Sequence, residues 1–428
     1  MLWKLQLQLA TRPGLAFLLI FSLAFLVRSA ILVHVPRPDL RQAGEAGQIA
    51  EALISKGQFA DPYLVPTGPT AHSCPFFPML LAGVFELFGK GDGGHFARCI
   101  LNICAYSLLY ALLPTLARAF AFLYSAGLIA GFAAAVLPTK ASAEVFRGWE
   151  EPYAALILAL VLLGTMRRWD SPRRSGASAV WLGLIWGAAF YVSVSLGSVL
   201  IGPVLVDLWR HRSVRTLRDA GIVLGVSFAV TIPWLLRNHQ QLHGWTLMRD
   251  NLGLELRYSN HDHAGVSSEQ LNADPASAEM HPGNSAREAR IVRNLGEIEY
   301  NRRELWLARQ WMTDRPGEFI RLSARRFFYF WLGPFEHPAL LAITSAYTLA
   351  GLWGLVYVRK RVGESQFVIW CTALVCYPSI YYFVAYISRY RVPIDWLIWL
   401  SAGLTVSVLV ERRFATGPTE IGEYRKAG

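Results

Sequence analysis

Apolar residues fall along this chain in long runs separated by short breaks rich in arginine or aromatics, with no sustained alternation of period two. A helix needs roughly 20 apolar residues to cross the hydrocarbon core of a bilayer. Runs of that order predict spans at 14–35, 97–117, 119–138, 152–167, 178–194, 196–209, 219–236, 338–358, 366–387 and 394–411. The stretch 179–208 is too long for one helix, and Ser193-Val194-Ser195-Leu196-Gly197 supplies a turn within it. Charge supports the division. Arg167, Arg168, Arg173 and Arg174 precede the stretch, and Arg210, Arg212, Arg215 and Arg218 follow it. Two helices keep both groups on the cytoplasmic side, as the positive-inside rule prefers, whereas one helix would export four arginines. Arg359, Lys360, Arg361, Arg412 and Arg413 then fall on that same side, and 36–96, 139–151 and 237–337 fall outside. The expected fold is an all-α polytopic membrane protein, a single domain over 1–428 with about ten transmembrane helices. A cleaved signal peptide competes for the first run, after Lys4 and Arg12. The run is long and no small-residue cleavage site follows, so an uncleaved first helix is expected.

The outer segments carry their own helical pattern. Ala43, Ala46, Ile49, Ala50, Leu53 and Ile54 share one face, which predicts an amphipathic helix over 43–54 lying at the membrane surface. Residues 77–89 predict a second, too short to span. Helical periodicity returns over 286–314 and 317–331, closing on the aromatic belt Phe327-Phe328-Tyr329-Phe330-Trp331.

Composition narrows the function classes. The chain is 54% hydrophobic and only 17% charged, which sets it apart from soluble domains. Its net charge of +11 is explained by arginine-rich loops, so nucleic acid is excluded as a partner and the lipid bilayer takes its place. Of five cysteines only Cys74 lies in a polar loop, so no disulfide framework is expected.

Candidate chemistry gathers outside. Glu45 lies at the edge of the apolar face of the 43–54 helix, beside Ile49 and Ala52, while Glu51 faces solvent; an ordinary flanking charge is the plainer account. Glu144, Glu150 and Glu151 occupy the second outer segment before Pro152. Acids there also suit a helix dipole, but two acid-bearing loops facing one cleft suit acid–base work on a hydroxyl. Arg237, Arg249, Arg257, Arg389 and Arg391 sit near outer helix ends, where a guanidinium either binds phosphate or snorkels to headgroups. His261-Asp262-His263 offers close ligands without a third partner and reads as a solvated turn, so no metal site is expected. A Gly-rich nucleotide loop and a GxSxG elbow are both missing.

The run Glu45-Ala46-Gly47-Gln48-Ile49-Ala50-Glu51-Ala52-Leu53 with Gly57-Gln58-Phe59-Ala60-Asp61-Pro62 resembles the first-loop signature of bacterial GT-C glycosyltransferases. These are relatives of the dolichyl-phosphate-mannose protein mannosyltransferases and of the aminoarabinose transferase acting on lipid A. Thr67-Gly68-Pro69-Thr70-Ala71, Pro75-Phe76-Phe77-Pro78, Pro233-Trp234-Leu235-Leu236-Arg237-Asn238, Arg249-Asp250-Asn251-Leu252-Gly253-Leu254-Glu255 and Tyr390-Arg391-Val392-Pro393 extend the likeness over roughly residues 14–400. The resemblance implies a GT-C bundle with interfacial helices in the first outer loop. It implies inverting transfer of a hexosyl or pentosyl unit from a polyprenyl-monophosphate sugar to a hydroxyl acceptor, at the periplasmic face of a bacterial inner membrane. It maps the catalytic base onto Glu45, which has no Asp directly before it, the nearest being Asp39. A second acid maps onto Glu151, with Glu150 adjacent, and donor-phosphate contacts map onto Arg237, Arg391, Arg389 and Arg249. No cofactor is required. A transporter of lipid-linked sugar and an inactive partner in polysaccharide assembly are the competing expectations. Against a transporter, no internal repeat is visible, and Arg28 is the main charge deep in a span.

Overall fold

The computed structural model describes residues 11–34, 44–137, 145–146, 149–171 and 174–415. Asp39, Glu144, Arg173 and most of the second outer segment lie outside them. In chain order the helices are α1 (Pro13–His34), α2 (Gly44–Lys56), α3 (Phe76–Phe88), α4 (Asp92–Ala111), α5 (Leu113–Ala119), α6 (Tyr124–Val136), α7 (Glu151–Asp170), α8 (Gly176–Val192), α9 (Gly197–His211) and α10 (Val214–Leu242). An inserted group follows: α11 (Leu252–Ser259), α12 (Ser268–Ala273), α13 (Pro275–Ala278), α14 (Ala286–Leu295), α15 (Glu297–Asp314) and α16 (Pro316–Leu332). The chain closes with α17 (Pro338–Tyr357), α18 (Glu364–Cys376) and α19 (Val392–Ala415). The described residues contain no strand.

This is an all-α polytopic membrane protein. Helix α1 shows why. Ala16, Ile20, Ala24, Arg28 and Leu32 recur every four residues and are buried, while Leu18, Leu26 and Val33 are more than half exposed. Burying that stripe while leaving large apolar residues outside suits lipid as the surrounding medium. By length and hydropathy α1, α10, Pro338–Val362 and Ser388–Arg413 qualify as spans, and the α4–α5 pair, bent by 41°, makes a fifth. Two spans are shorter than their apolar runs predict. Ala121, at φ 61°, breaks the chain between α5 and α6, which begins only at Tyr124. Helix α18 stops at Cys376 and passes into a tight turn holding Pro378, which has no amide to donate. Between α8 and α9, Ser193 is extended and Val194–Leu196 forms a single turn, so the long run is two helices.

Ion pairs order one end of the bundle. Arg168 meets Asp219 at 2.6 Å, Arg174 meets Asp207 at 2.8 Å and Arg361 meets Glu411 at 2.7 Å, all at the end bearing the arginine-rich loops. Arg28 is 1% exposed, yet it is satisfied by the carbonyls of Ala24, Ala134 and Ala135 and lies over the Tyr110 ring. It therefore ties α1 to α6.

Helix α19 is the axis of the bundle, and it approaches α17 very closely. A Cβ on Gly354 would stand 2.2 Å from the Ser401 carbonyl oxygen, and Thr405 donates across the seam to the Ala350 carbonyl at 2.8 Å. Gly354→Leu is expected to destabilise the protein by about 1–3 kcal/mol or more through overpacking. The check is a lowered melting temperature in detergent.

Candidate active site

The last turn of α10 fixes the first loop to the bundle. Arg237 donates to the carbonyls of Thr70 at 2.6 Å and Phe59 at 2.7 Å, and its guanidinium lies over the Phe59 and Trp234 rings. Asp61, in left-handed backbone at φ 57°, closes the same loop by accepting from the amides of Thr67 and Gly68 and from Lys56. Two further clamps come from the insertion. Glu297, the first residue of α15, accepts from the Ala71 amide at 2.7 Å and is hydrogen-bonded with the Thr70 hydroxyl. Arg249 Nε donates to the His72 carbonyl at 2.7 Å. Together they hold His72 beside Glu45.

Glu45 stands in the first turn of α2 with 20% of its side chain accessible. Its Oε1 lies 3.9 Å from His281 Nε2. The Gly283 amide donates to His281 Nδ1 at 3.0 Å, so the ring proton sits on Nε2 and points toward the carboxylate. Tyr258 and Tyr63 pack edge-on to the His281 ring, and the Tyr63 hydroxyl meets His72 Nδ1 at 2.9 Å. Gly283 is required by close approach, since a Cβ there would stand 2.9 Å from His281 Nδ1 and 3.2 Å from Glu45 Oε1. Burial alone would raise the Glu45 carboxyl. His281, its own backbone amide and Arg389 outweigh burial and hold it below the ordinary Glu range. Burial pushes His72 down to about 3, so it is neutral.

The facing wall is the Ser388–Arg391 turn and the start of α7. Arg389 donates to Glu151 Oε1 at 2.7 Å and lies 4.2 Å over the Trp149 ring. Glu151 is 4% exposed and also accepts from the Trp149 amide at 3.0 Å. Glu150 is half-buried and, with Glu255, acts on the Arg249 charge. Arg391 turns the other way, into the bundle. It donates to Asp395 at 2.6 Å, Thr348 at 2.6 Å and the carbonyls of Phe330 and Trp331.

The structure thus brings Glu45, Glu150, Glu151, Arg249 and Arg389 into one cluster. Arg237 lies beneath the first loop and Arg391 within the bundle. The pair around Asp262 does not converge: His261 is buried and accepts from the His263 amide, while Asp262 is bound by Trp311 and Arg315. Among the described residues no three His, Cys, Asp or Glu side chains gather as a metal site. Sequence reasoning missed His72, His281 and Glu297. Glu297 and His281 reach Thr70 and Glu45 across more than 200 residues, and the one local signal is the Pro282-Gly283 turn after His281.

Glu297 makes the clamp pH-sensitive, because burial raises its carboxyl from 4.5 to about 8. A raised carboxyl stabilises the fold most below its ordinary value, and that contribution fades as pH rises through about 8. The melting temperature is expected to fall from pH 6 to 9, and Glu297→Gln is expected to flatten that slope. Thermal melts across that range check it.

No protein-family model matches this sequence, and none of the curated proteins does. Solved structures do match. The oligosaccharyltransferase of Archaeoglobus fulgidus, tethered to an acceptor peptide containing the NVT sequon, superposes at TM-score 0.55 and 15% identity, over 92% of this chain and 50% of its own. The Archaeoglobus fulgidus oligosaccharyltransferase AglB, in complex with an inhibitory peptide and a dolichol-phosphate, gives 0.52 at 16% identity over the same shares. This chain spans about half the length of those proteins. ArnT from Cupriavidus metallidurans covers 91% of this chain and 77% of its own at 16% identity, with a TM-score of 0.37 too loose to bear on the fold. The archaeal superpositions establish the GT-C fold for the chain.

Proposed function

We propose that this GT-C chain is an inverting glycosyltransferase. It moves a hexosyl or pentosyl unit from a polyprenyl-monophosphate carrier to a hydroxyl acceptor at the extracytoplasmic face of a bacterial inner membrane. The observation that carries the proposal is the Glu45 carboxyl, partly accessible in the first turn of α2, 3.9 Å from His281 and within the field of Arg389, which together hold it below the ordinary Glu range. An acceptor hydroxyl is a weak nucleophile, and a positioned carboxylate orients it and takes its proton. The hydroxyl oxygen attacks the anomeric carbon from the side opposite the phosphate. The bond from that carbon to the phosphate oxygen breaks, its electron pair leaves with the polyprenyl phosphate, and Glu45 ends protonated. Charge growing on the phosphate is stabilised by fixed cations nearby.

Arg389 and Arg249 suit that task, because each hydrogen-bonds protein through one nitrogen, Arg389 to Glu151 and Arg249 to the His72 carbonyl, whereas Arg237 uses both terminal nitrogens and Arg391 all three. Glu151 is a positioning residue on this reading. It orients Arg389, and Glu150 stands beside it as the remaining acid. A neighbour of the same fold in complex with a dolichol-phosphate supports a lipid-phosphate donor.

The test incubates purified protein with a panel of polyprenyl-phosphate sugars and a cell-envelope acceptor fraction. Release of polyprenyl phosphate is the expected result. No release with any donor, from folded protein, would favour a transporter of lipid-linked sugar or an inactive partner in polysaccharide assembly.

A further inference from the structure

The insertion between α10 and α17 carries a surface that the transfer chemistry does not use. Helices α14 and α15, with Arg315 just past the end of α15, present seven exposed arginines, Arg287, Arg290, Arg293, Arg302, Arg303, Arg309 and Arg315, against two exposed acids, Glu299 and Asp314. Arg287, Arg290, Arg293 and Arg309 form no ion pair among the described residues. The others are paired: Arg302 with the exposed Glu299 at 2.5 Å, Arg303 with the buried Glu304 at 3.3 Å, and Arg315 with Asp262 and Glu318. The exposed pairs contribute little to stability and leave the remaining donors of Arg302 and Arg315 open to a ligand.

An indole lies in the middle of this charge. Trp306 is 61% exposed, and Arg302 and Arg309 lie four residues before and three after it, on the same face of α15. The opposite face, with Glu297, Tyr300, Asn301, Glu304, Ala308 and Trp311, is buried; there Asn301 accepts from the Leu254 amide of α11. Trp306 is thus held out on a fixed scaffold rather than left over from the core.

We infer that the Arg302–Trp306–Arg309 face binds an acidic glycan chain, the acceptor side of the reaction proposed above, on which this inference rests. The chemistry of the face selects that partner. A guanidinium fork reads carboxylate bidentately, and a flat indole offers a sugar ring a stacking surface. A helix that inserts into a bilayer needs several large apolar residues on one face, and here the neighbours of Trp306 are Arg302, Arg303, Arg309 and Gln310. A protein partner would look for a larger apolar centre. A hydrated polyanion needs only the charges and one stacking platform.

The experiment uses the full chain in nanodiscs of neutral lipid and measures binding of fluorescent polygalacturonate, with dextran as the neutral control. Arg302→Gln, Trp306→Ala and Arg309→Gln are combined, and Trp306→Ala is also made alone. Wild type is expected to bind polygalacturonate and not dextran. The triple variant is expected to bind at least about 10-fold more weakly at an unchanged melting temperature, as loss of central aromatic and arginine contacts implies. Trp306→Ala alone is expected to weaken binding at constant charge, which a purely Coulombic attraction would not do. Unchanged binding by the triple variant overturns the inference, and so does absence of polygalacturonate binding by wild type. Binding to phosphatidylglycerol vesicles in place of the glycan, lost in the same variants, overturns it in favour of a membrane-facing role. Glu45→Gln is expected to bind polygalacturonate as wild type does. A glycan-binding chain that transfers no sugar would therefore sink the proposed activity and leave this surface standing, and an active chain with an inert face would do the reverse.

Discussion

Glu45→Gln is expected to lower sugar transfer by roughly 10²–10⁴-fold, the range that loss of a positioned base covers. Glutamine keeps the shape and still hydrogen-bonds an acceptor hydroxyl, but it takes no proton. The side chain is partly accessible and stands 3.9 Å from His281 Nε2, beyond hydrogen-bond distance, so the fold is expected to survive the change. Release of polyprenyl phosphate, measured beside a thermal melt, separates the two effects. The pH profile adds a second check. Glu45 lies below the ordinary Glu range, so its acid limb is expected to fall off only under that range. His281→Ala removes one of the groups that lower it and is expected to move that limb upward. Full activity in Glu45→Gln would remove it as the base and turn attention to Glu150.

Arg389 and Arg391 are two residues apart and are expected to fail in opposite ways. Arg391 is 1% exposed and donates to four groups within the bundle. Arg391→Gln removes the guanidinium from the buried Asp395, a loss of about 3–5 kcal/mol for a broken buried pair, and little folded protein is expected. Arg389→Gln is expected to cost roughly 10²–10³ in transfer rate through lost stabilisation of the leaving phosphate. It also strands the buried Glu151, so Arg389→Gln is best combined with Glu151→Gln. The double variant is expected to melt near wild type and stay inactive. Size-exclusion profiles and donor turnover for the set decide the matter, and an active double variant would detach Arg389 from the donor.

The bundle was legible in the sequence because lipid imposes a simple rule, that long apolar runs become helices. Even the division at Ser193–Gly197 followed from charge on either side. Helix ends were less legible. Ala121 adopts left-handed backbone without any glycine or asparagine to announce it. In the candidate site, Glu45 was singled out by its edge position on a periodic helix. His281 and Glu297 did not, because their meaning lies in partners more than 200 residues away in the chain. The four candidate arginines looked alike in sequence. What separates them is which carbonyls stand within reach, a property of packing that no local pattern carries.

The clamp between Thr70 and Glu297 spans 227 residues of chain. A ribosome adds about 5–20 residues each second, so the first loop waits roughly 10–45 s after emerging before its counterpart exists. His281 reaches Glu45 on much the same schedule. During that interval Glu45 lacks one of the groups that hold its carboxyl below the ordinary range. Competence therefore arrives late in biosynthesis, and a nascent chain stalled among its early helices carries the acid without the machinery to use it.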